Sequence, residues 1–500
     1  MFRSINGRND LIEVGWCLLI KISGEFRFHC NFRTLALSAT SQTSVGSFWP
    51  NLLTHLDYQN FKAFEDLALD TRPITILLGP NNAGKSSILA GPKLLTQTTE
   101  SFDSNVTLLL NGIFGDYGTY RDIVFQNIRE RPFEIRLTLQ HRRDPVLTSP
   151  ARETSPATNV VSDLRIKYRY RPKLRQIVLS EIELTSDGQL VLKTKYSTAS
   201  ERPLVTNLGG RVVPPENRAS ISSRLRLQHF IPQGIGILFH TTPVGKKLGS
   251  ITERRMRNLV RAGRAFHRFF DTLEYVGAIR VDPSRTFLFS GESRARVGTN
   301  GEHAINIMMM DSLRSKKRSL AIQAKVIAWL KKAGVARDLE VKSLSDRHYE
   351  IRLRHPITGE YSNFADVGYG ASQVIPVLVA GFNLRPGGTL LVEQPEIHLH
   401  PRAQAELGSF LSQLYTRRVQ SIIETHSEHL VVRLQQHVAN NVIPAKDIVV
   451  YYVHAKGARK RVVKMTLDEK GHFLQRWPEG FFPERLEEAK KLARARFKEN

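Results

Sequence analysis

The sequence predicts an α/β fold. Two observations support this prediction. A β-branched and apolar run at residues 74–78 leads through a glycine-rich loop into a helical segment. Later in the chain an apolar helix at 374–380 precedes two more strand-like runs, at 389–393 and 421–424. Strands and helices that follow one another in this way are typical of the α/β class.

The loop after the first strand, residues 79–87, reads Gly-Pro-Asn-Asn-Ala-Gly-Lys-Ser-Ser and fits the G-x-x-x-x-G-K-S pattern of a phosphate-binding P-loop. In this pattern the glycines let backbone N–H groups point at phosphate oxygens, the lysine reaches the β- and γ-phosphates, and the serine ligates Mg²⁺. A glycine-rich turn before a helix is the alternative, which the strand-loop-helix context disfavours. The predicted nucleotide-contacting residues are Gly79, Asn81, Asn82, Gly84, Lys85, Ser86 and Ser87, with Ser86 also a Mg²⁺ ligand.

Three later stretches add to the P-loop. Residues 368–373, Gly-Tyr-Gly-Ala-Ser-Gln, open a helix, where small residues suit phosphate contact. The apolar strand before Glu393 ends in a carboxylate, as a Walker B element requires, because that carboxylate must lie beside Mg²⁺. A further strand ends in Thr-His-Ser, where His426 can hydrogen-bond the γ-phosphate.

Composition favours an anionic partner. The 500 residues include 72 Lys and Arg against 47 Asp and Glu, a formal charge of +25. Such a charge favours a polyanion, most simply nucleic acid, and we expect double-stranded DNA as the partner; a solvated basic surface is the alternative. The two cysteines, Cys17 and Cys30, exclude a disulfide framework or a cysteine-based zinc site.

The N-terminal region differs from the rest of the chain. No apolar run approaches the ~20 residues that span a bilayer, and the first apolar stretch is interrupted by Glu13 and Lys21, unlike a signal peptide. We therefore expect a cytoplasmic protein with no membrane partner. Residues 1–51 show no clear period, so we expect a poorly ordered extension, with the working protein beginning near Leu52.

The middle of the chain is basic. We expect the P-loop helix to end before Gln97 and an alternating strand at 133–139. Further on we expect a loop at 145–165, strands at 176–184 and 189–194, and helices at 252–275 and 318–332. Arginines line one face of the first helix and apolar residues line the other; the arginines are those at 254, 257, 261, 264 and 268. An ordinary amphipathic helix is the simple interpretation of this pattern. A stripe that follows a phosphate backbone is the functional one.

In this order the P-loop, the small-residue signature, the Walker B strand and the histidine switch resemble the ABC-type ATPase heads of the RecF/SMC group. More narrowly, residues 79–87, 393–401 (Glu-Gln-Pro-Glu-Ile-His-Leu-His-Pro) and 424–429 (Glu-Thr-His-Ser-Glu-His) resemble the OLD-like AAA-family ATPases of prokaryotic defence loci, including PtuA-type ATPases. Residues 275–280 and 477–482 are similar to one such subgroup, the latter to its C-terminal domain of unknown function.

The resemblance implies a P-loop ABC-ATPase head with a large basic α+β insertion and a short C-terminal cap. One lobe, 53–140, holds the P-loop, and the other, 340–456, holds the signature, Walker B and histidine switch. The insertion is 141–339, and 457–500 forms the cap with a basic helix.

In that family two heads sandwich two ATP molecules. The resemblance therefore implies a homodimer or higher oligomer with ATP and Mg²⁺ as cofactors. It also implies that Gly370, Ser372 and Gln373 contact the nucleotide of the other head. Gln126 takes the position of the Q-loop glutamine near Mg²⁺, with an unremarkable surface residue as the alternative.

One departure concerns catalysis. The family pattern is Asp-Glu-Pro, with the aspartate for Mg²⁺ and the glutamate for the attacking water, whereas this chain has Glu393, Gln394 and Pro395. An amide cannot accept a proton at neutral pH, but it can orient a water. Glu396 is the stand-in base, two residues further on. We expect slow hydrolysis and long-lived ATP-bound dimers.

The histidines after Walker B allow two interpretations. His398 and His400 flank one residue, a spacing that a metal site also uses, but no cysteine or carboxylate cluster joins them. The resemblance favours a D-loop at the dimer interface.

OLD-type nucleases carry a Toprim domain after the ATPase, with acidic clusters that bind metal. We find no such cluster after Ser427 and no HNH pattern, so we expect an ATPase that is not itself a nuclease. Two hypotheses follow: a DNA-binding ATPase that controls a separately encoded effector in phage defence, or a RecF-like repair or chromosome clamp without an effector. An ABC transporter ATPase is disfavoured, because the signature is not Leu-Ser-Gly-Gly-Gln and the insertion is long.

Overall fold

The computed structural model describes residues 12–22, 25–35, 49–142, 159–235, 253–288, 291, 294–314, 321–456 and 459–477. The chain divides into two compact units, 1–48 and 49–500. In the first unit, β1 (Ile12–Ile22) and β2 (Glu25–Leu35) form an antiparallel hairpin within the predicted extension. The second unit begins at Trp49, whose buried ring packs on Tyr415, so its core starts before Leu52.

The second unit contains all the remaining strands. They are β3 (Asn51–Phe61), β4 (Phe64–Asp70), β5 (Ile74–Leu78), β6 (Asn111–Gly112), β7 (Gly115–Asp116), β8 (Phe133–Arg142), β9 (Asn159–Arg171), β10 (Gln176–Ser186), β11 (Gln189–Ser197), β12 (Arg202–Leu208), β13 (Arg211–Val212), β14 (Leu225–Gln228), β15 (Ile231–Ile235), β16 (Leu273–Val276), β17 (Phe287–Leu288), β18 (Asp338–Ser343), β19 (His348–Arg354), β20 (Tyr361–Asn363), β21 (Thr389–Glu393), β22 (Gln420–Glu424), β23 (Ile448–Lys456) and β24 (Arg459–Met465).

The helices of this unit are α1 (Lys85–Thr99), α2 (Tyr120–Ile123), α3 (Pro215–Ser222), α4 (Glu253–Asp271), α5 (Ala304–Arg314), α6 (Ile322–Ala333), α7 (Tyr369–Asn383), α8 (Pro401–Thr416) and α9 (Glu428–Ala439). The predicted basic helix at 484–498 lies outside the described residues. Among the helices that are described, none combines the length and apolar character needed to cross a bilayer.

The central sheet has six strands in the order β16-β21-β22-β5-β23-β24. The first five are parallel and β24 is antiparallel to its neighbour. The strand of the P-loop therefore lies beside β22, the strand predicted at 421–424, and the strand predicted at 389–393 is the next one along the sheet. Because parallel strands end at the same edge, their carboxyl ends meet there. The predicted α/β fold class is confirmed.

A second sheet is antiparallel, with eight strands in the order β13-β12-β11-β10-β9-β8-β3-β4. Much of the predicted insertion lies in this sheet, since β9 pairs directly with β8. The loop predicted at 145–165 is wrong from residue 159 onward, where β9 begins, and residues 143–158 lie outside the described part. Along β9, Leu164, Ile166 and Tyr168 are buried at alternate positions, which is a strand pattern.

Two predicted helix ends are also wrong. The helix predicted at 252–275 ends at Asp271, and Leu273–Val276 instead pairs with β21. All four of those residues are buried, so sheet pairing prevails over helical periodicity. Helix α1 was expected to stop before Gln97 but continues to Thr99; Gln97 is buried there, and its amide donates to the carbonyl of Leu109, 2.6 Å away. The helix predicted at 318–332 is α6, and residues 318–320 lie outside the described part.

Two hydrophobic cores lie on opposite faces of the parallel sheet. Ile74, Ile76 and Leu78 of β5 face a core shared with α5 to α9. Leu77 faces the other core, which contains residues of α1, α4 and the antiparallel sheet. Side chains of a strand point alternately to its two faces. This alternation therefore determines on which face of the sheet the last side chain of each strand lies.

Candidate nucleotide-binding site

The P-loop joins β5 to α1 in the tight turn that its glycines predict. Gly79 has φ of 141°, and a Cβ atom there would lie 1.9 Å from the carbonyl oxygen of Val453, so only glycine fits. The carbonyl of Asn82 accepts a hydrogen bond from Lys460 Nζ at 2.8 Å. The predicted residues Asn81, Asn82 and Ser86 are exposed, Gly84 and Ser87 are half-buried, and Gly79 and Lys85 are buried.

Lys85 and Ser86 are the first residues of α1, and their side chains contact groups at the carboxyl edge of the sheet. Lys85 is 3% exposed, and its Nζ donates to the carbonyls of Gly79 and Pro80, each at 2.9 Å. Ser86 Oγ donates to Glu424 Oε2 at 2.8 Å. Burial lowers the pKa of Lys85, which the Glu424 carboxylate opposes. A buried ammonium held by backbone carbonyls is suited to exchange them for phosphate oxygens.

Strand alternation explains why Glu424 faces Ser86. Ile422, two residues earlier on β22, lies in the core that contains α1, whereas Ile423 lies in the opposite core. Glu424 therefore points to the α1 side. Burial raises the pKa of this carboxyl, which the hydrogen bond from Ser86 opposes. We assigned no role to Glu424 from sequence, although an apolar strand that ends in a carboxylate was a signal for one.

Glu393, the predicted Walker B carboxylate, is the register partner of Glu424 on the neighbouring strand. Its Oε1 accepts from Lys93 Nζ at 3.1 Å and from the Tyr275 hydroxyl at 2.9 Å. Lys93 Nζ also lies 3.7 Å from the centroid of the Tyr275 ring. Burial lowers the pKa of Lys93, which Glu393 opposes. The predicted metal carboxylate is thus engaged by α1 and β16, and Glu424 rather than Glu393 contacts Ser86.

Arg280 joins the same edge from the segment after β16. It is 5% exposed, and its Nη2 donates to the carbonyls of Glu393 at 2.9 Å and Gln394 at 3.3 Å. Burial lowers the pKa of Arg280 to about 10, which the Glu396 carboxylate opposes. In the sequence, residues 275–280 contributed only to the family resemblance. The contacts of Tyr275 and Arg280, and those of Lys93 in α1, were not predicted.

Gln394 occupies the turn where the chain leaves β21. It has φ of 45°, and its backbone N–H donates to the carbonyl of Glu424 at 2.7 Å. The side chain is half-buried, and its amide makes no hydrogen bond to any residue that the structure describes. The amide is therefore free to hold a small polar molecule such as water.

Glu396 is buried and already engaged. Its Oε1 accepts from the backbone N–H of His426 at 2.6 Å, which ties the turn after Walker B to the histidine loop. Burial raises the pKa of Glu396, opposed by that hydrogen bond. Desolvation lowers the pKa of His426, and the charge of Lys85 lowers it further. The lowered pKa favours a neutral imidazole at neutral pH.

The signature residues lie at the start of α7, against the loop after Walker B. A Cβ atom at Gly370 would lie 2.8 Å from the carbonyl oxygen of His398. Ser372 is buried and its hydroxyl donates to the carbonyl of Tyr369, while Gln373 is buried too. The part of the signature open to solvent is therefore its backbone and Tyr369, which is 55% exposed.

This signature lines a cleft of about 710 Å³ that includes no residue of the P-loop. Its wall is formed partly by Gly368, Tyr369, Gly370, His398, His400 and Arg402. The side chain of His400 caps α8 by accepting from the backbone N–H of Arg402. The structure thus brings the signature together with the predicted D-loop and apart from Lys85.

Gln126 is not brought to the P-loop by any direct bond. It lies in a short 3₁₀ turn, Phe125–Asn127, with φ of 58°, and its side chain is exposed. Within the described residues its amide makes no hydrogen bond, so neither Ser86 nor Glu424 holds it. Its role near Mg²⁺ stays a prediction.

The donors at this edge fit MgATP. Mg²⁺ prefers oxygen ligands, and the Ser86 hydroxyl and the Glu424 carboxylate, which contact each other, supply them. Lys85 and the N-terminus of α1 supply the positive charge that phosphates require. Among the described residues no group of three or more His, Cys, Asp or Glu is arranged for another kind of metal site.

Comparisons with known proteins bear on part of this prediction. Residues 310–432 match a family described as "AAA domain, putative AbiEii toxin, Type IV TA system". That stretch holds the signature, Glu393 and His426 but not the P-loop. Residues 443–492 match a family described as "Protein of unknown function". None of the curated proteins matches the chain.

Similar solved structures are heads of SMC proteins. One is an Smc head bound to the C-winged helix domain of ScpA, at 10% identity, with 83% of this chain and 98% of that chain covered and a TM-score of 0.39. An SMC head domain from Thermotoga maritima has 10% identity, 82% and 98% coverage and a TM-score of 0.35. An Smc head with an extended coiled coil, bound to the C-terminal domain of ScpA, derived from Pyrococcus furiosus, has 11% identity, 83% and 96% coverage and a TM-score of 0.39.

The coarser part of the predicted identity is confirmed, because the chain contains an AAA-family ATPase domain. The narrower OLD-like and PtuA-type assignment stays a prediction.

Proposed function

We propose that this protein binds MgATP at the P-loop and hydrolyses it slowly, and that the bound nucleotide controls how two copies of the chain engage. The observation that carries the proposal is the meeting of Lys85, Ser86, Glu424 and Glu393 at one edge of the parallel sheet. Lys85, Ser86 and Glu424 have the chemistry that a P-loop nucleotide site requires, and Glu393 lies beside Glu424 on the next strand.

In this proposal each residue has a defined task. Lys85 exchanges its carbonyl partners for the β- and γ-phosphates, and neutral His426 hydrogen-bonds the γ-phosphate. The Gln394 amide orients the attacking water but cannot take its proton. Glu396 is a weaker candidate for the base than its sequence position suggests, because one of its oxygens holds the His426 backbone. Slow turnover follows from the missing proton acceptor.

The separate location of the signature supports a two-headed arrangement. Gly370, Ser372 and Gln373 line or adjoin a cleft that excludes the P-loop of the same chain. A helix N-terminus attracts phosphate, so the start of α7 is suited to complete the nucleotide site of a second copy. Two such contacts related by a twofold axis form a closed dimer.

DNA binding is supported by a basic tip at one end of the antiparallel sheet. We define the basic tip as Arg129, Arg131, Arg169, Arg171, Lys173 and Arg175. Within the described part of the chain none of the six is in an ion pair with a carboxylate. Further along the same sheet some cations are neutralised: Arg165 is paired with Glu134 at 2.5 Å and Lys193 with Glu183 at 2.6 Å.

Aromatic rings brace the basic tip. The Arg129 guanidinium lies 3.8 Å from the centroid of Tyr170, and that of Arg171 lies 5.5 Å from Tyr196. Such stacking fixes the guanidinium planes while leaving their N–H groups for phosphate oxygens. Unpaired and oriented cations of this kind suit the backbone of a nucleic acid duplex.

We further propose that the ATPase acts in phage defence through a separately encoded effector, such as a nuclease. The description of the family matched at 310–432 names a toxin–antitoxin system, which supports a defence setting. The alternative is a DNA clamp for repair or chromosome organisation, with no effector. An adjacent nuclease gene whose product is toxic only together with this ATPase would favour defence. A chain active without any such partner would favour the clamp.

The test of the core proposal is ATP turnover by purified protein with and without duplex DNA, beside Lys85→Ala. We expect low turnover that rises with DNA and is abolished in the variant. Circular dichroism checks that the variant is folded. ATP binding without turnover in either condition would assign the function to nucleotide-held dimerisation. Failure of the wild-type protein to bind ATP would overturn the proposal.

A further inference from the structure

We propose that Glu424 supplies the carboxylate of the Mg²⁺ site, the role that the Walker B position predicts for Glu393. The inference rests on the proposed function, because it concerns how the same site binds MgATP. It assigns a task to a residue for which the motif pattern has none, and it gives Glu393 a structural task instead.

The contacts that the structure describes for the Glu424 carboxylate are with P-loop residues. Its Oε2 accepts from Ser86 Oγ at 2.8 Å, and its Oε1 lies 3.7 Å from Lys85 Nζ. The serine hydroxyl is the P-loop group that ligates Mg²⁺. A carboxylate already in contact with that oxygen is within reach of a cation bound there, either directly or through one of the waters that Mg²⁺ retains.

Glu393 has different partners. Lys93 and Tyr275 both donate to its Oε1, and Arg280 donates to its backbone carbonyl. The Lys93–Glu393 pair is nearly buried, with side chains 10% and 14% exposed. If Glu393 turned toward a cation at Ser86, the ammonium of Lys93 would stay buried beside a ring with no carboxylate, which is strongly unfavourable.

No other described carboxylate at this edge is better placed. Glu396 is buried with one oxygen on the His426 N–H, so it holds the histidine loop. Gln394 is an amide and supplies no charge. The parallel register places Glu393 and Glu424 side by side on the α1 side of the sheet. The two therefore divide the work: Glu393 joins α1 to β21 through Lys93, and Glu424 faces the nucleotide end of the same helix.

Two matched substitutions separate these tasks. Glu424→Gln and Glu393→Gln each remove one charge, keep a hydrogen-bonding amide and lie at paired positions of adjacent strands. Glu424→Asp keeps the charge on a shorter side chain. All are made in the full chain, and circular dichroism with thermal unfolding checks the fold.

The measurement is binding of Mn²⁺, as a spectroscopic probe for Mg²⁺, by electron paramagnetic resonance in the presence of a non-hydrolysable ATP analogue. We expect Glu424→Gln to weaken Mn²⁺ binding by about 10- to 100-fold, the usual range for loss of a supporting metal contact. Glu424→Asp should recover part of that loss. Glu393→Gln should leave Mn²⁺ affinity within about threefold and instead lower the unfolding temperature, since it leaves Lys93 unpaired.

The opposite pattern, in which Glu393→Gln loses Mn²⁺ and Glu424→Gln keeps it, would overturn the inference. Equal retention in both variants would overturn it as well. Binding of a fluorescent ATP analogue without metal is measured in parallel. If the wild-type chain binds the nucleotide but the Glu424 variants bind Mn²⁺ normally, only this inference fails. If the wild-type chain binds no nucleotide at all, the proposed function fails with it.

Discussion

Gln394 lies between Glu393 and Glu396 in the sequence, and both carboxylates have other partners. This arrangement limits which group can accept a proton from the attacking water. Glu393 is paired with Lys93, and Glu396 holds the His426 backbone. In the proposed reaction the amide therefore orients the attacking water, and neither Glu393 nor Glu396 is free to take its proton. A carboxylate at position 394 itself would supply the missing base.

We predict that Gln394→Glu raises ATP turnover by about 100-fold or more, the usual gain from a placed general base. Phosphate release under saturating ATP measures it, and Gln394→Ala serves as the control, with turnover below wild type because the water is no longer oriented. An unchanged rate in Gln394→Glu would mean that another group already accepts the proton.

Local motifs predicted the residues of this edge better than they predicted its contacts. The P-loop pattern is contiguous, so Lys85 and Ser86 could be named from sequence, and the structure places both over the sheet edge. Their partner Glu424 is 338 positions away from Ser86. The pairing depends on which strands become neighbours and which face each strand end presents, which no single motif encodes.

At the scale of elements, the basic tip differs from the paired cations of the antiparallel sheet. Its described cations form no ion pair with a carboxylate, whereas Arg165 and Lys193 do. Its hairpin joins β9 to β10, and Tyr170 contacts Tyr120 at a ring distance of 5.8 Å. The arginine face predicted on α4 is less available, because Arg257, Arg261 and Arg268 already have partners. The hairpin is therefore the better candidate for contact with DNA.

We predict that the triple variant Arg169→Ala, Arg171→Ala, Arg175→Ala weakens binding to duplex DNA by at least tenfold at low salt. The slope of log affinity against log salt should fall by about 2 to 3, since each lost phosphate contact contributes about 0.9. Fluorescence anisotropy over a salt series measures both. The control removes two exposed cations from another sheet, Lys342→Ala with Arg347→Ala, and should leave affinity nearly unchanged. Equal losses in both variants would indicate a general charge effect.

Element types followed from the sequence where a single periodicity acted alone. The strand at 74–78 and the alternating strand from Phe133 were placed correctly. The end of the helix predicted at 252–275 was not, because Leu273 and Tyr275 keep an apolar pattern but pair with β21. Position within the central sheet, rather than local preference, determined the structure there.

At the scale of the whole molecule, the proposed dimer uses two separate parts of each chain, the P-loop with Lys85 and the signature at the start of α7. The cleft beside the signature contains no P-loop residue. In the proposed dimer the signature of one chain therefore supplies phosphate contacts to the nucleotide of the other. Exposed Tyr369 marks the start of the signature helix, where a negative charge would repel phosphate without disturbing a buried side chain.

We predict that Lys85→Ala and Tyr369→Glu are each inactive alone but regain turnover when mixed. In a mixed dimer one nucleotide site combines the intact P-loop of the Tyr369 variant with the intact signature of the Lys85 variant, and the other site is doubly defective. With equal amounts and free exchange of subunits, about half of the dimers are mixed. Each mixed dimer has one restored site of two, so roughly a quarter of wild-type turnover should return. Phosphate release measures the recovery, and size-exclusion chromatography with ATP confirms that the dimers form. If mixed dimers form but stay inactive, the signature does not serve the partner's nucleotide, and the cleft beside α7 has another occupant.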